Sequence, residues 1–308
     1  MPIGHRILRI MDPGATAGYR NPTRSSAESS PPTCAEFLQV ALPRLGLSWA
    51  GFRRVHRQVC RRISRRLQQL RLADCREYRE YLETHPSEWA TLDDFCHISI
   101  SRFLRERAVF DRLGTEILPG LAAAARTRGA SQLQCWSAGC ASGEEPYSLA
   151  MIWEVMLARR YPGLALRVVA TDVDGELLAR ARAGRYRRSS LREVPDEWRD
   201  AAFTRCGELY VVRPALRTAL EFHQQDMREG LPGGLFDLIL CRYVAFTYFD
   251  AVLQRRTLGR LLAQLQPGGA LVIGLKEQLP AGVPGVEPWV PDLRIFRRTG
   301  GTCEPGPQ

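Results

Sequence analysis

The residues with the clearest chemical potential form one short turn. Positions 139–146 read Gly-Cys-Ala-Ser-Gly-Glu-Glu-Pro, and the alternating apolar residues Leu133 and Cys135, with the bulky Trp136, precede them. Glycine permits a tight backbone turn, paired acids suit the positive end of a helix, and proline suits its first turn. We therefore predict a strand, a turn and a helix in that order, which is the first half of a nucleotide-binding unit.

The acidic residues of this turn predict a cationic ligand. The Gly-x-x-x-Gly spacing matches neither a dinucleotide-binding fingerprint nor a Walker loop with its lysine, and Glu144 and Glu145 would repel a pyrophosphate. A sulfonium that carries an α-amino group, as in S-adenosylmethionine, fits two carboxylates. Glycine turns of this kind also join strands to helices without any ligand. The elements that follow must therefore show whether this turn binds one.

A further acid follows the next predicted strand, 166–171. Asp172 ends that strand, where a carboxylate can accept hydrogen bonds from both ribose hydroxyls of an adenosine. Asp174 is predicted to cap a helix over 176–183, which Gly184 would end. Strands and helices alternate from residue 133 onward, which predicts an α/β fold with a mostly parallel sheet.

Five segments of the chain resemble the CheR-type methyltransferases, which use S-adenosylmethionine to methyl-esterify glutamates on chemotaxis receptors. They are WSAGCASGEEPYSLAM at 136–151, ATDVD at 170–174, FDLILCR at 236–242, YFD at 248–250 and LQPGGALVIG at 265–274. The resemblance covers roughly 37–280. It implies a class I, Rossmann-like methyltransferase fold with an N-terminal all-helical domain, and S-adenosyl-L-methionine as the cofactor.

The resemblance also implies which residues contact the cofactor. The family pattern Thr-x-Asn-x-Thr-x-Phe-Phe-Arg-Glu places Ser99, Ser101 and Arg105 at its Asn, Thr and Arg positions. Asp226 and Met227 occupy the positions of the family's Asn-Leu pair beside the adenine. Tyr243 and Val244 occupy those of its Asn-Val pair after the following strand. The predicted cofactor-binding residues are Ser99, Ser101, Arg105, Gly139, Glu144, Asp172, Asp226, Met227, Tyr243 and Val244.

Arg105 and Tyr248 are the predicted catalytic residues, because either side chain could orient a substrate carboxylate or the cofactor. A carboxylate is already ionised near neutral pH, so its attack on a sulfonium methyl needs no general base. Tyr243 replaces a family Asn, and the loop to Tyr248 is one residue longer. Both departures would lie against the reacting methyl group. Methylation of a small molecule and a non-catalytic cofactor-binding scaffold therefore stay open as alternatives.

Arginines dominate the basic residues of the chain. The net charge is +10, and Lys276 is the only lysine. An apolar stripe predicts a helix from Phe52 to Leu70, whose other faces carry Arg53, Arg54, Arg57, Arg61, Arg62, Arg65 and Arg66. These arginines form either a solvated face or, as the resemblance implies, a docking surface for an acidic helical receptor. The lack of an Asn/Asp-Pro-Pro-Tyr/Phe motif argues against methylation of nucleic acid, and no nucleic-acid partner is expected.

Composition gives the predictions for location, thiol state and domain bounds. No apolar run reaches 18 residues, so we predict no membrane insertion, no signal peptide and a cytoplasmic location. The nine cysteines show no CxxC pair, which predicts reduced thiols and no bound metal. The predicted domains are a disordered leader at 1–33, a helical domain at 34–128 and a cofactor-binding catalytic domain at 129–298, followed by a tail at 299–308. A small insert at about 186–221 is predicted to be structural, and the last strand is predicted at 289–297.

Overall fold

A seven-stranded sheet lies at the centre of the computed structural model, which describes residues 31–300. Its spatial order is β6-β2-β1-β7-β8-β10-β9. The strands are β1 (Gln132–Ala138), β2 (Ala165–Asp172), β6 (Leu220–Gln224), β7 (Phe236–Leu240), β8 (Leu265–Val272), β9 (Val286–Val290) and β10 (Ile295–Arg298). The first five strands of that order run parallel, and β10 and β9 are antiparallel. The predicted fold class is confirmed.

Helices cover the sheet and fill the N-terminal part. They are α1 (Cys34–Ala41), α2 (Trp49–Phe52), α3 (His56–Leu70), α4 (Cys75–Thr84), α5 (Glu88–Cys96), α6 (Arg107–Arg112), α7 (Leu118–Thr127), α8 (Glu144–Ile152), α9 (Gly175–Ala183), α10 (Asp196–Ala202), α11 (Pro214–Arg217), α12 (Ala245–Tyr248) and α13 (Ala251–Ala263). The predicted insert contains a small antiparallel sheet of β3 (Arg185–Arg187), β4 (Phe203–Cys206) and β5 (Leu209–Val212). No helix among residues 31–300 is long and apolar enough to cross a membrane.

The two faces of the sheet bury different helices. In β1, Cys135 packs into a core with α6 to α8, whereas Trp136 packs into a second core with the N-terminal helices α1 to α5. Successive strand residues point to opposite faces, so this alternation follows directly from the β conformation. The N-terminal helices therefore contact the sheet itself. The domain division at 128/129 stays a prediction, and most of the predicted leader and tail lies outside the described residues.

Three details differ from the sequence predictions. The predicted helix from Phe52 to Leu70 is interrupted by a turn at 53–55, so that α3 begins at His56. The predicted last strand is a hairpin, because a 3₁₀ turn that starts at Pro291 separates β9 from β10. Cys34 and Cys60 form a disulfide between α1 and α3, so the prediction of reduced thiols was wrong for this pair.

A buried carboxylate holds three of the N-terminal helices together. Glu88, at the start of α5, is only 5% exposed. It accepts two hydrogen bonds from Arg66 of α3, at 2.8 and 2.7 Å, and one from the Tyr78 hydroxyl of α4, at 2.9 Å. Arg66 lowers the pKa of the Glu88 carboxyl, so the ionised form stabilises the fold.

We expect Glu88→Gln to lower the free energy of unfolding by about 1–3 kcal/mol at neutral pH, because it weakens a buried charged hydrogen-bond network. Since the folded pKa is depressed, the contribution of Glu88 is complete above the unfolded glutamate pKa of about 4.3 and disappears as the pH falls through the folded value. Urea unfolding at several pH values measures this. Glu83→Gln, which removes an exposed ion pair with Arg44, is the control and should change little. Equal losses in both variants would contradict the prediction.

Candidate active site

A cavity of about 1140 Å³ lies where the carboxyl ends of β1, β2 and β7 meet the N-terminal helices. Ligands of open parallel sheets bind at this edge. The predicted residues that line the cavity are Ser99, Ser101, Arg105, Gly139, Asp172, Asp226, Met227, Tyr243, Val244 and Tyr248. The fold thus brings together every predicted site residue except Glu144.

The glycine turn is shaped by contacts on both sides. Gly139 has a φ of +75°, and its N–H donates to the carbonyl of Thr171 at the end of β2, at 2.8 Å. A Cβ at this position would lie 2.3 Å from Cγ2 of Val244. Only glycine fits both the left-handed backbone and this close approach. The turn therefore lies directly against the segment that follows β7.

The Asp172 carboxylate is held by the backbone beside the turn. Its Oδ2 accepts from the N–H of Ala141 at 2.7 Å, and its Oδ1 accepts from the N–H of Asp174 at 3.0 Å. Burial raises the pKa of this carboxyl. A carboxylate oxygen has two acceptor positions, so both oxygens can still accept from a diol. Asp174 caps α9 as predicted, and accepts from the N–H groups of Glu176 and Leu177.

The two acids of the turn have different environments. Glu144 is 3% exposed and accepts from the Ser142 hydroxyl at 2.8 Å, outside the cavity lining. Glu145 lines the cavity and accepts from the Ser137 hydroxyl at 2.7 Å. The placement therefore favours Glu145, and not the predicted Glu144, for contact with a cationic group in the cavity.

Glu145 belongs to a network around one buried arginine. Arg242, two residues after the end of β7, donates to Glu145 at 2.9 Å, to Glu106 at 2.8 Å and to the carbonyl of Arg105 at 2.7 Å. Its guanidinium also lies 5.2 Å from the ring centroid of Phe110. These contacts join the glycine turn, the segment before α6 and the central strand into one unit.

The loop that contains Tyr248, a predicted catalytic residue, is hydrogen-bonded to a buried acid. Glu277 accepts from the N–H of Tyr243 at 2.8 Å, the N–H of Gly274 at 2.7 Å and the hydroxyl of Thr247 at 2.5 Å. Burial raises the pKa of Glu277. The Tyr248 ring packs on Phe52 with a centroid distance of 4.9 Å. The longer loop is thus folded into the single-turn helix α12 and is fixed at both ends.

The opposite end of the cavity carries the predicted adenine contacts. Met227 is buried, and Asp226 accepts from the Arg228 guanidinium at 2.6 to 3.1 Å. Arg228 also donates to Asp93 of α5 at 2.8 Å. Although burial acts to raise the pKa of Asp93, Arg228 and His97 lower it to about 2. One arginine therefore connects the helical segment to this end of the cavity.

Comparison with known proteins identifies the family. The CheR methyltransferase SAM-binding domain matches residues 99–291, and the CheR methyltransferase all-alpha domain matches 56–95. The chain belongs to the CheR methyltransferase family. It is therefore an S-adenosylmethionine-dependent methyltransferase, which confirms the predicted enzyme class and cofactor.

Two curated relatives are similar over most of their length. A chemotaxis protein methyltransferase of Listeria monocytogenes is 32% identical over 246 residues, which are 79% of this chain and 88% of that protein. A chemotaxis protein methyltransferase of Escherichia coli is 33% identical over 258 residues, which are 76% of this chain and 86% of that protein. The relatives thus span both the helical and the cofactor-binding parts of this CheR-type enzyme.

Several charged residues of the CheR site were missed in the sequence. They are Asp93, Glu106, Arg228, Arg242 and Glu277, whereas Glu145 was recognised only as one of an acidic pair. Arg242 carried a usable signal, because an arginine that ends a continuous apolar strand requires an anionic partner when it is buried. The identity of that partner is not visible in the sequence, because Glu106 and Glu145 lie 136 and 97 residues away. The cofactor contacts of individual residues stay predictions.

We expect Gly139→Ala to weaken binding of S-adenosylhomocysteine by at least about 10-fold, because the added Cβ would meet Val244 and strain the left-handed backbone. Calorimetry with the demethylated cofactor measures this. Gly129→Ala is the matched control, since Gly129 has a similar φ of +72° but no atom within 4 Å of the added Cβ. The same affinity in both variants would contradict the role of the turn.

Proposed function

We propose that this CheR-type enzyme transfers a methyl group from S-adenosylmethionine to a glutamate carboxylate of a protein, namely a chemotaxis-type receptor in the cytoplasm. The observation that carries the proposal is the charge of the cavity. Its cationic lining residues include Arg53, Arg54, Arg105 and Lys276, and no ion pair among residues 31–300 involves any of them. The names of the similar chemotaxis protein methyltransferases support the same acceptor.

The acids of the cavity are already bound to other groups. Asp93 and Asp226 are paired with Arg228, and Glu145 is paired with Arg242. Asp172 accepts two backbone N–H groups. Among the lining acids that the structure describes, Asp172 alone lacks a cationic partner, against four basic residues without an anionic one, so the net charge left in the cavity is positive, which favours entry of an anionic acceptor. A neutral small molecule would gain nothing from this charge.

The proposed reaction needs positioning and no general base. When bound, the cofactor supplies an electrophilic methyl group, and the acceptor glutamate is ionised near neutral pH. Arg105 would bind a carboxylate through the N–H groups that its bond to the Ile100 carbonyl, at 2.7 Å, leaves available. Tyr248 would limit how the acceptor approaches, because its half-buried ring is held against Phe52. Holding the reacting atoms in a near-attack arrangement supplies much of the rate enhancement in such transfers.

The arginines of the predicted docking face divide into two groups. Arg62 donates to the carbonyls of Phe95 and His97, at 2.7 and 2.8 Å, and Arg66 is bound to Glu88, so these two arginines stabilise the fold. The exposed arginines of the face are Arg53, Arg54, Arg57, Arg61 and Arg65. Arg53 and Arg54 also line the cavity. The exposed group therefore extends from α3 to the cavity mouth, as a docking surface for an acidic helix requires.

We expect the product to be a methyl ester. Host-cell extract incubated with the protein and S-adenosylmethionine labelled in its methyl group should acquire label that mild base releases as methanol, because carboxyl esters hydrolyse under conditions in which methyl ethers and N-methyl groups do not. Extract without the protein is the control. Base-stable label on a small molecule would favour the alternative methyltransferase, and binding of cofactor without transfer would favour a scaffold.

We expect the double variant Arg57→Glu, Arg61→Glu to reduce ester formation at limiting extract concentration by about 10-fold or more, because it reverses the charge of the docking surface. Affinity for S-adenosylhomocysteine should stay unchanged. The double variant Arg126→Glu, Arg159→Glu is the matched control, since it has the same net charge and changes exposed arginines away from α3 and the cavity. If both double variants form the ester equally well across a range of salt concentrations, the arginines are only a solvated face and the docking surface is contradicted.

A further inference from the structure

Tyr243 has a conformation that is unusual for an aromatic residue. Its φ is +59°, in the left-handed region that bulky residues rarely occupy. The family residue at this position, Asn, adopts such a conformation more readily. The structure therefore accommodates a tyrosine at a backbone position that would suit a smaller side chain.

Contacts at both ends hold this tyrosine in place. Its N–H donates to Glu277 at 2.8 Å, and its hydroxyl donates to Glu106. The ring lies flat against the next loop, because a Cβ on Gly274 would be only 2.6 to 2.8 Å from three ring carbons. Burial, and the bond to Glu106, raise the pKa of Tyr243 to about 12, so the hydroxyl remains a donor throughout the neutral range.

The Tyr243 ring is also in contact with Arg105. The guanidinium carbon of Arg105 lies 4.1 Å from the centroid of the Tyr243 ring, well within the range of a cation–π contact. Both residues line the cavity. The backbone around Arg105 is itself constrained, because Leu104 and Glu106 have φ values of +52° and +65°. The main chain thus brings the arginine to the cavity, and the tyrosine ring limits where its head group can lie.

We propose that Tyr243 is a positioning residue, which holds the Arg105 guanidinium where it binds a carboxylate at the reacting end of the cavity. One of two possible carboxylates is that of the acceptor glutamate, and in that case the proposal rests on the proposed function. The other is the carboxylate of the methionine part of the cofactor. The cation–π contact uses the ring face, and Glu106 and Arg242 fix the hydroxyl end through a bond of 2.8 Å between them. Tyr243 therefore acts on the carboxylate through Arg105.

A double-mutant cycle between Tyr243→Leu and Arg105→Leu tests this coupling. One readout is the dissociation constant for S-adenosylhomocysteine, which retains the methionine carboxylate. The other is the extract concentration at half-maximal formation of base-labile label, together with the maximal rate. We expect each single variant to weaken the same readout by about 10-fold, and the double variant to be no weaker than Arg105→Leu alone. The affected readout identifies the carboxylate.

Conservative and control variants separate positioning from general damage. Tyr243→Phe keeps the ring and should remain within about 3-fold of the native protein. Tyr210→Leu removes a tyrosine whose ring lies 5.8 Å from Arg199, outside the cavity, and should change neither readout. If Tyr243→Leu does not fold in a thermal unfolding assay, Tyr243→Asn takes its place, because Asn suits the left-handed backbone.

Additive losses in the cycle would overturn the proposal, as would native behaviour of Tyr243→Leu or Tyr243→Asn in both readouts. Failure of the proposed function has a different signature. In that case the native protein forms no base-labile label, and the cycle is decided by the affinity for S-adenosylhomocysteine alone. Coupling there would support a role of Tyr243 toward the cofactor carboxylate, and independence would overturn it.

Discussion

The geometry of the site depends on one buried guanidinium. Arg242 is 7% exposed, and its hydrogen bonds reach Glu145 at the start of α8, Glu106 before α6 and the carbonyl of Arg105. Loss of one partner of a buried ion pair typically costs 3–5 kcal/mol, because the remaining charge stays desolvated. Packing of apolar groups alone would allow these segments to shift. The charged contacts give the glycine turn and the Arg105 segment a single arrangement at the end of β7.

The elements predicted most accurately are those whose signals are local. The strand before Asp172 and the cap at Asp174 are specified by residues that are close together in the sequence. The interruption of the predicted long helix just after Phe52 depends instead on distant groups. A Cβ on Gly51 would lie 2.1 Å from the Thr247 carbonyl, so the interruption of the helix accompanies close packing of α2 on α12. Periodicity cannot reveal a contact between segments almost two hundred residues apart.

The same limit applies to the two adjacent acids of the glycine turn. Glu144 and Glu145 are adjacent in sequence, but neighbouring residues of a helix face about 100° apart, and their difference comes from Ser137 and Arg242. The disulfide between Cys34 and Cys60 likewise depends on how α1 packs on α3. Residue type and spacing predicted the class of cofactor. The choice between adjacent candidates required the tertiary fold.

Arginine serves two separate purposes in this chain, and its chemistry explains why one residue type suffices for both. The partly buried Arg228 and the buried Arg242 each bind two carboxylates, which the planar guanidinium with its five donors allows. Because three of the four acids that line the cavity are paired in this way, the exposed arginines and Lys276 leave a positive field at its mouth. A carboxylate acceptor needs attraction and orientation but no proton transfer. Paired arginines inside the fold hold the site in one arrangement, and unpaired basic residues at its entrance attract the acceptor. Both requirements are therefore met without a catalytic base.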